Sequence, residues 1–294
     1  MTEHFTRIHL ISACHNRKAL TVSCLSSAIS SAHHAGLDID ITLFDDGSTD
    51  GTSDTVRAIE GAQVEILVGD GSAYWAASMS RAEEFVLSRS DVSDSDVLLW
   101  LNDDTHLYID AIGRLRDTLV HYPHAIVAAS VVEPDGSEEI SYGGYVRSGT
   151  HPLRYSRILP HPQRVQEIDA FNGNCVCLSV GTARRMGGID GSYAHSLADI
   201  DYGIRALSLE IPVLIAPGVF GSCHRDIRDD SALGVTGRWK SFVGIKGGGH
   251  YRSLRTILEK TSPRTWPMFI IITYSKWWFR ELAGFVIPKK SGSE

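Results

Sequence analysis

Short apolar runs alternate with longer stretches of helical spacing through the first half of the chain. Ile8 to Ala13, Ile39 to Phe44, Val64 to Val68, Val97 to Leu101 and Ala125 to Val132 read as strands. Between them, Arg17 to Ala35, Ser53 to Glu60, Ser78 to Ser90 and Ala111 to His121 space their apolar residues as helices do, with Ser93 to Asp96 as a polar turn. This rhythm predicts an α/β fold, a mostly parallel central sheet with helices on both faces. Residues 134–170 interleave Pro, Gly, Tyr and His and predict an irregular or hairpin-like insertion. Ala170 to Val180 reads as a strand-pair element, Ser196 to Leu209 as a helix and Pro212 to Ala216 as a last strand. No internal repeat is present.

Two of the strands end abruptly in adjacent carboxylates, Asp45-Asp46 and Asp103-Asp104. Neighbouring anions repel each other and lose hydration, so a plain core strand has no use for them. A divalent cation, or a polyphosphate held through one, would reward them. Open parallel sheets bind ligands outside the carboxyl ends of their strands. That is where both pairs fall.

At 294 residues and 43% hydrophobic, the chain can bury one sizeable domain, with or without an appendage. The net charge of -7 argues against a nucleic-acid binder. From Thr236 onward there are eleven Lys/Arg against three Asp/Glu, so this tail carries +8 and residues 1–235 carry -15. A main acidic domain over 1–235 and a basic, aromatic-rich C-terminal helical appendage over 236–294 are therefore expected. Within the tail, Trp266 to Phe285 reads as an amphipathic helix lying on a membrane surface or packing against a second copy of the chain. Interfacial Trp beside Lys276 and Arg280 favours the membrane. The five cysteines include no Cys-x-x-Cys pair and read as reduced core thiols, which favours the cytoplasm. No signal peptide is expected, and no run of 18 apolar residues suggests a membrane span.

The motifs narrow the chemistry. Read as a calcium loop, Asp45 to Gly51 would need Glu at its twelfth position and has Arg57, so a strand-to-helix turn capped by Ser48 or Asp50 is the better account. Gly69-Asp70-Gly71 begins a Gly-x-Gly, but Tyr74 stands where the third glycine belongs, and no Gly-Lys-Ser/Thr exists. On the helix near residue 200, Asp199 and Asp201 are two apart and do not share a face. Arg205 is spaced to pair with Asp201, which leaves Asp199 as a free carboxylate suited to general-base work. His224, past the last strand, divides evenly between surface residue and metal ligand. Trp75 and Tyr74 suit stacking on a base or a sugar, with a core-filling Trp75 as the alternative, whereas Trp100 belongs to the core. Asn172-Gly173-Asn174 suits either a sugar-binding turn or a simple turn.

Taken in order, these motifs resemble the inverting glycosyltransferases of family two, with the GT-A fold, over about residues 7 to 226. Ser12 to Arg17 is similar to that family's first nucleotide-contacting loop and DDGSTDG to its second. Gly69 to Trp75 resembles the Gly-Asp-Gly…Trp loop of a bacterial branch. LNDDT stands at the Asp-x-Asp position, and Ala198 to Arg205 resembles the segment bearing the catalytic base. The resemblance implies nucleotide contacts from Ala13, Cys14, Asn16, Asp45, Asp46, Gly69, Asp70, Trp75 and Asp103. It further implies Mg2+ or Mn2+ on Asp104 with His224 completing the shell, Asp199 as base, and Asn172 and Asn174 near the donor sugar or acceptor. Its expected partners are a nucleotide-sugar donor and a glycan or lipid-linked acceptor of bacterial surface polysaccharide. Two departures stand out: Ala198 replaces a frequent Glu, and Asn102 takes part of the Asp-x-Asp. A nucleotidyltransferase would usually add a Gly-rich basic loop after the first strand, and a non-catalytic binding protein would not need Asp199.

Overall fold

The computed structural model describes residues 7–225, 230 and 232–286. The first half alternates as expected: β1 (Arg7–Cys14), α1 (Lys18–His34), β2 (Asp38–Asp45), α2 (Thr52–Arg57), β3 (Gln63–Val68), α3 (Tyr74–Ser88) and β4 (Val97–Leu101). Next come β5 (His106–Leu107), α4 (Ala111–His121) and β6 (Ile126–Val132). The insertion is built of short strands: β7 (Ile140–Tyr142), β8 (Gly144–Arg147), β9 (Tyr155–Arg157), β10 (Gln166–Glu167) and β11 (Ala170–Phe171). The chain continues through β12 (Cys175–Ser179), α5 (Val180–Met186), α6 (Ala198–Ser208) and β13 (Val213–Ser222). The tail holds α7 (Val235–Val243), α8 (Tyr251–Thr261) and α9 (Trp266–Val286).

The main sheet runs β10-β13-β6-β12-β4-β1-β2-β3, and β8, β9 and β11 form a second, small sheet. β4, β1, β2 and β3 pair in parallel, as do β6 and β13, while β12 is antiparallel to both β4 and β6. The reversal of β12 matters for function. Its first residue, Cys175, pairs with Leu101, the last of β4, so the turn before it is delivered to the same edge as the carboxyl ends of the parallel strands.

The run expected as a strand pair over 170–180 divides between the two sheets, broken at Asn172-Gly173-Asn174. β13 extends to Ser222, past the expected end at Ala216. Pro217-Gly218 breaks its periodicity, yet pairing with β6 resumes beyond two register shifts, and β5 pairs with its last residues.

Side chains alternate along the strands to fill two cores. Leu99 and Leu101 face α1 and α4, with Leu25, Ala28, Ile112 and Leu115. Leu98 and Trp100 face the other side, under α3, α5 and α6. Trp100 is fully buried there, edge-on to Tyr202 at 4.7 Å and Phe171 at 6.1 Å between ring centroids. Leu254, Ile257 and Leu258 of α8 and Ile270 of α9 join this second core, so the middle of the tail packs on the body of the protein.

Candidate active site

The ends of β1, β2, β3 and β4 lie side by side, so the loops after them meet. Asp45 and Asp46 bind these loops together. Asp45 accepts from Ser48 N–H at 2.8 Å and from the Ser53 hydroxyl, closing the DDGSTDG turn. Asp46 reaches the next loop, accepting from Gly71 N–H (3.0 Å), Ala73 N–H (3.0 Å) and Tyr74 N–H (3.1 Å). It thereby caps α3 from a distant segment, and α3 starts at Tyr74, four residues ahead of the sequence expectation. Gly69 permits this approach, because a Cβ there would lie 2.5 Å from Asp46 Oδ1.

Asn16 performs a similar task between β1 and the DDGSTDG loop. Its N–H donates to Ser48 Oγ and its Oδ1 accepts from Thr49 N–H, both at 2.8 Å. Asp50 accepts from the N–H groups of Lys18 and Thr52, serving the starts of both α1 and α2. Cys14 is buried, Ala13 is half-buried, and Asp70 stands exposed at the loop tip, accepting from Ser72 N–H.

The second acidic pair is treated differently. Asp103 is 5% exposed, and Asp103 Oδ2 is buried without a hydrogen-bond partner. Arg17 Nη1 donates to Asp103 Oδ1 and to Asp104 Oδ2, each at 2.9 Å. Burial pushes the Asp103 carboxyl up to about 6, with Arg17 opposing and Asp104 reinforcing the shift. On the other side, the Cys223 thiol donates to Asp104 Oδ1 at 3.3 Å. Burial pushes that thiol's own pKa up, and Asp104 adds to the rise, so Cys223 stays a neutral donor.

His224 follows directly, with its side chain 81% exposed and its Nδ1 3.6 Å from Glu133. Among the described residues, no group of three or more His, Cys, Asp or Glu side chains converges as a metal cage. The Asp103-Asp104 pair nevertheless fits a hard divalent cation, since Mg2+ commonly takes one or two carboxylates and completes its shell with phosphate and water. The orphaned Asp103 oxygen and the cation already bridging the pair point the same way.

A chain of contacts leads from this pair to Asp199. Asn102 Oδ1 accepts from Trp75 Nε1 at 2.8 Å, so the residue that departs from the Asp-x-Asp pattern holds the indole. Trp75 lies in the first turn of α3 rather than in a loop, with its ring against the backbone of Gly173, where a Cβ would come within 2.5 Å of Cζ2. Gly173 N–H donates to Asp199 Oδ2 at 3.1 Å, and Ile200 N–H donates to Asp199 Oδ1 at 2.9 Å. Burial raises the Asp199 pKa against the pull of those two donors. The residue as a whole is half-buried.

The flanking asparagines are occupied internally. Asn172 Oδ1 accepts from the Tyr145 hydroxyl at 2.8 Å, and the buried Asn174 bonds Thr105 and Cys223. Three residues with side chains sit at positive φ beside these loops: Asn16 (52°), Tyr74 (54°) and Leu197 (83°), where α1, α3 and α6 begin. Such strain costs of order 1–3 kcal/mol per residue and concentrates at functional sites.

The pairing expected of Asp201 is present and larger than expected. Asp201 accepts from Arg205 Nε (2.8 Å), Lys260 Nζ (2.8 Å) and the Tyr193 hydroxyl (3.0 Å). Arg205 also donates to the carbonyls of Met186 and Gly188, and Lys260 to Asp190, which fixes α6 against α8 and the loop after α5. Nearby, Glu83 is fully buried on α3 and accepts from Ile189 N–H at 2.6 Å.

Arg17, Asn102, Cys223 and Glu83 were not assigned roles from the sequence. Glu83 alone left a signal, since it falls on the apolar stripe of Ala76, Met79 and Val86.

A family profile described as glycosyl transferase family 2 matches residues 10–177. No curated protein matches the chain by sequence. Solved structures match the fold at low identity. A mannosyltransferase, PcManGT from Pyrobaculum calidifontis, in complex with GDP-Man and Mn2+, is 12% identical with a TM-score of 0.59, over 99% of this chain and 77% of that one. S. aureus TarS 1-349 is 11% identical with a TM-score of 0.56, over 95% and 92%. GalNAc-T7 with UDP, GalNAc and Mn2+ is 12% identical with a TM-score of 0.58, over 82% of this chain. The present chain spans about half of it, 48%.

Proposed function

The chain belongs to glycosyl transferase family 2, and on that premise we propose that it is a metal-dependent inverting enzyme of bacterial surface polysaccharide synthesis, such as O-antigen assembly. The donor is a UDP- or dTDP-linked rhamnose, galactofuranose or hexose, and the acceptor a glycan or lipid-linked glycan. The observation that carries this reading is the placement of a cation-holding carboxylate pair and a half-buried aspartate at one sheet edge, linked through Asn102, Trp75 and Gly173.

Asp103 and Asp104 would hold Mg2+ or Mn2+, with His224 one residue beyond the Cys223 that touches Asp104. Bound there, the metal supplies Lewis-acid neutralisation of the leaving diphosphate. Asp199 accepts the proton of the acceptor hydroxyl while that oxygen bonds the anomeric carbon and the diphosphate oxygen departs from the opposite face. Burial holds the Asp199 carboxyl above its ordinary range, closer to that of a useful base. Asp201 is bound by Tyr193, Arg205 and Lys260 and offers no second nucleophile, which favours single displacement and inversion. Trp75, its indole fixed by Asn102 and packed on Gly173, would offer an apolar surface to a base or a sugar.

The tail suits a lipid-linked acceptor. Among the described residues no helix is long and apolar enough to cross a membrane. α9 instead exposes Met268, Ile271, Trp278, Phe279 and Leu282 at helical spacing along one face, with Lys276 and Arg280 at its border. An apolar stripe edged by cations fits the anionic inner surface of a cell membrane, and that cytoplasmic face is where we place the enzyme. A dimer through the same helices is the competing occupant.

The direct test is release of nucleoside diphosphate from UDP- and dTDP-linked sugars with Mn2+ or with EDTA. One nucleotide class should turn over, and only with metal. Asp199→Asn should lose about 10²–10⁴ in rate while still binding nucleotide. Undiminished turnover in that variant would remove Asp199 as the base.

A further inference from the structure

Arg17 meets the acidic pair in an unusual way. One nitrogen, Nη1, donates to both Asp103 Oδ1 and Asp104 Oδ2. A guanidinium meeting one carboxylate prefers two parallel bonds from its fork. A single atom between two carboxylates is instead how a point cation sits. The arrangement leaves Asp103 Oδ2 buried and unpartnered, so the pair is neutralised without being satisfied.

The two partners also differ in freedom. The Asp103 side chain is 7% exposed and fixed at a strand end, whereas that of Arg17 is 44% exposed. Arg17 is the N-cap of α1, and its carbonyl accepts from the N–H and hydroxyl of Thr21, so its backbone is held while its side chain reaches out over the edge. The guanidinium can swing away with little loss of packing, and the Asp103 carboxylate cannot.

We propose that Arg17 is a cation latch: it holds Asp103 and Asp104 together in the donor-free enzyme and competes with the divalent metal for the same two carboxylates. The inference rests on the metal site described under the proposed function. Without a resident cation, two adjacent carboxylates at a buried strand end would repel each other and splay. With Arg17 in place they keep their geometry, but free metal binds weakly. Once released, the guanidinium hangs at the strand-end edge, where its donors match the oxygens of a nucleoside diphosphate. Donor arrival therefore favours release of Arg17 and tight metal binding together, so metal occupancy follows donor occupancy.

The test is Mn2+ binding to the full chain, read from the EPR signal of free Mn2+, first alone and then with UDP or dTDP. In the absence of nucleotide, Arg17→Gln should bind Mn2+ about tenfold more tightly than the parent, reflecting the loss of two charge-assisted bonds. Arg17→Lys, which keeps a competing charge, should stay near the parent. Nucleotide should strengthen Mn2+ binding in the parent far more than in Arg17→Gln. Equal or weaker Mn2+ binding by Arg17→Gln, in protein whose thermal unfolding matches that of Arg17→Lys, would overturn the latch and leave the metal site standing. Absence of Mn2+ binding in every form, even with nucleotide, would overturn the metal site itself and the latch with it.

Discussion

Two carboxylate pairs that look alike along the chain do opposite work. Asp45 ends β2 and Asp46 follows it; together they accept four backbone N–H bonds, one from their own turn and three from the loop after β3. Asp103 and Asp104 follow β4 and share the half-exposed guanidinium of Arg17, with one Asp103 oxygen left over. The first pair holds the loops together; the second keeps an unpartnered buried oxygen, and we propose that it serves a ligand. A strand-end aspartate is thus identified by what already occupies its lone pairs, not by its position. A related contrast recurs on α6, where Asp201 is bound by the side chains of Tyr193, Arg205 and Lys260, and half-buried Asp199 has only two backbone N–H donors.

Mutation should separate the two pairs. Asp46→Ala leaves three backbone N–H groups without their acceptor and should cost about 2–4 kcal/mol of stability, read as a fall in the urea midpoint. Asp104→Ala should cost far less, because it removes a carboxylate from a repelling pair. If Asp104→Ala proved the more destabilising, the division of labour would be wrong.

Glu83 sharpens the contrast, being a buried carboxylate with fewer donors than Asp46. Burial pushes its carboxyl up to about 8, against the pull of Ile189 N–H and Arg205. In the folded protein it therefore keeps its proton to higher pH than in the unfolded chain. Its stabilising contribution is complete below about 4.5 and is lost as pH rises through about 8. Glu83→Gln should flatten the decline in urea midpoint across that window. A parent and variant with parallel pH profiles would show that Glu83 does not titrate there.

The smallest effect on stability should come from the tail. Phe279 is 73% exposed, so Phe279→Glu should change stability by less than about 0.5 kcal/mol. Together with Ile271→Glu it should abolish co-sedimentation with vesicles rich in anionic phospholipid. Retained sedimentation would reject the membrane face. A loss of dimer in place of lipid binding would assign α9 to a second copy of the chain.

Much of this architecture was legible in the sequence because it is periodic. The strands of the parallel half, the helices between them and the acidic strand ends all follow from apolar spacing and abrupt changes of polarity. Family resemblance then ordered the motifs. What escaped depends on partners far apart in the chain. Arg17 and Asp104 are 87 residues apart, and Trp75 and Asn102 are 27 apart, so neither bond leaves a local pattern. The reversal of β12, which brings Gly173 to Asp199, is likewise invisible to spacing, as is the packing of α8 into the second core. Asn102 is instructive: it departs from the family pattern, and the structure has it holding the indole between the acidic pair and Asp199.

The central claim is that the Asp103-Asp104 edge binds a nucleoside diphosphate through a divalent cation. Thermal unfolding with UDP, dTDP, GDP and CMP, each with Mn2+ and with EDTA, tests it most directly in the parent and in Asp104→Ala. A ligand at a hundredfold excess over Kd stabilises the native state by about 2.7 kcal/mol. The account predicts that UDP or dTDP raises the Tm of the parent only when Mn2+ is present, and that Asp104→Ala loses that rise. A nucleotide shift that survives EDTA, or that Asp104→Ala retains in full, would contradict it.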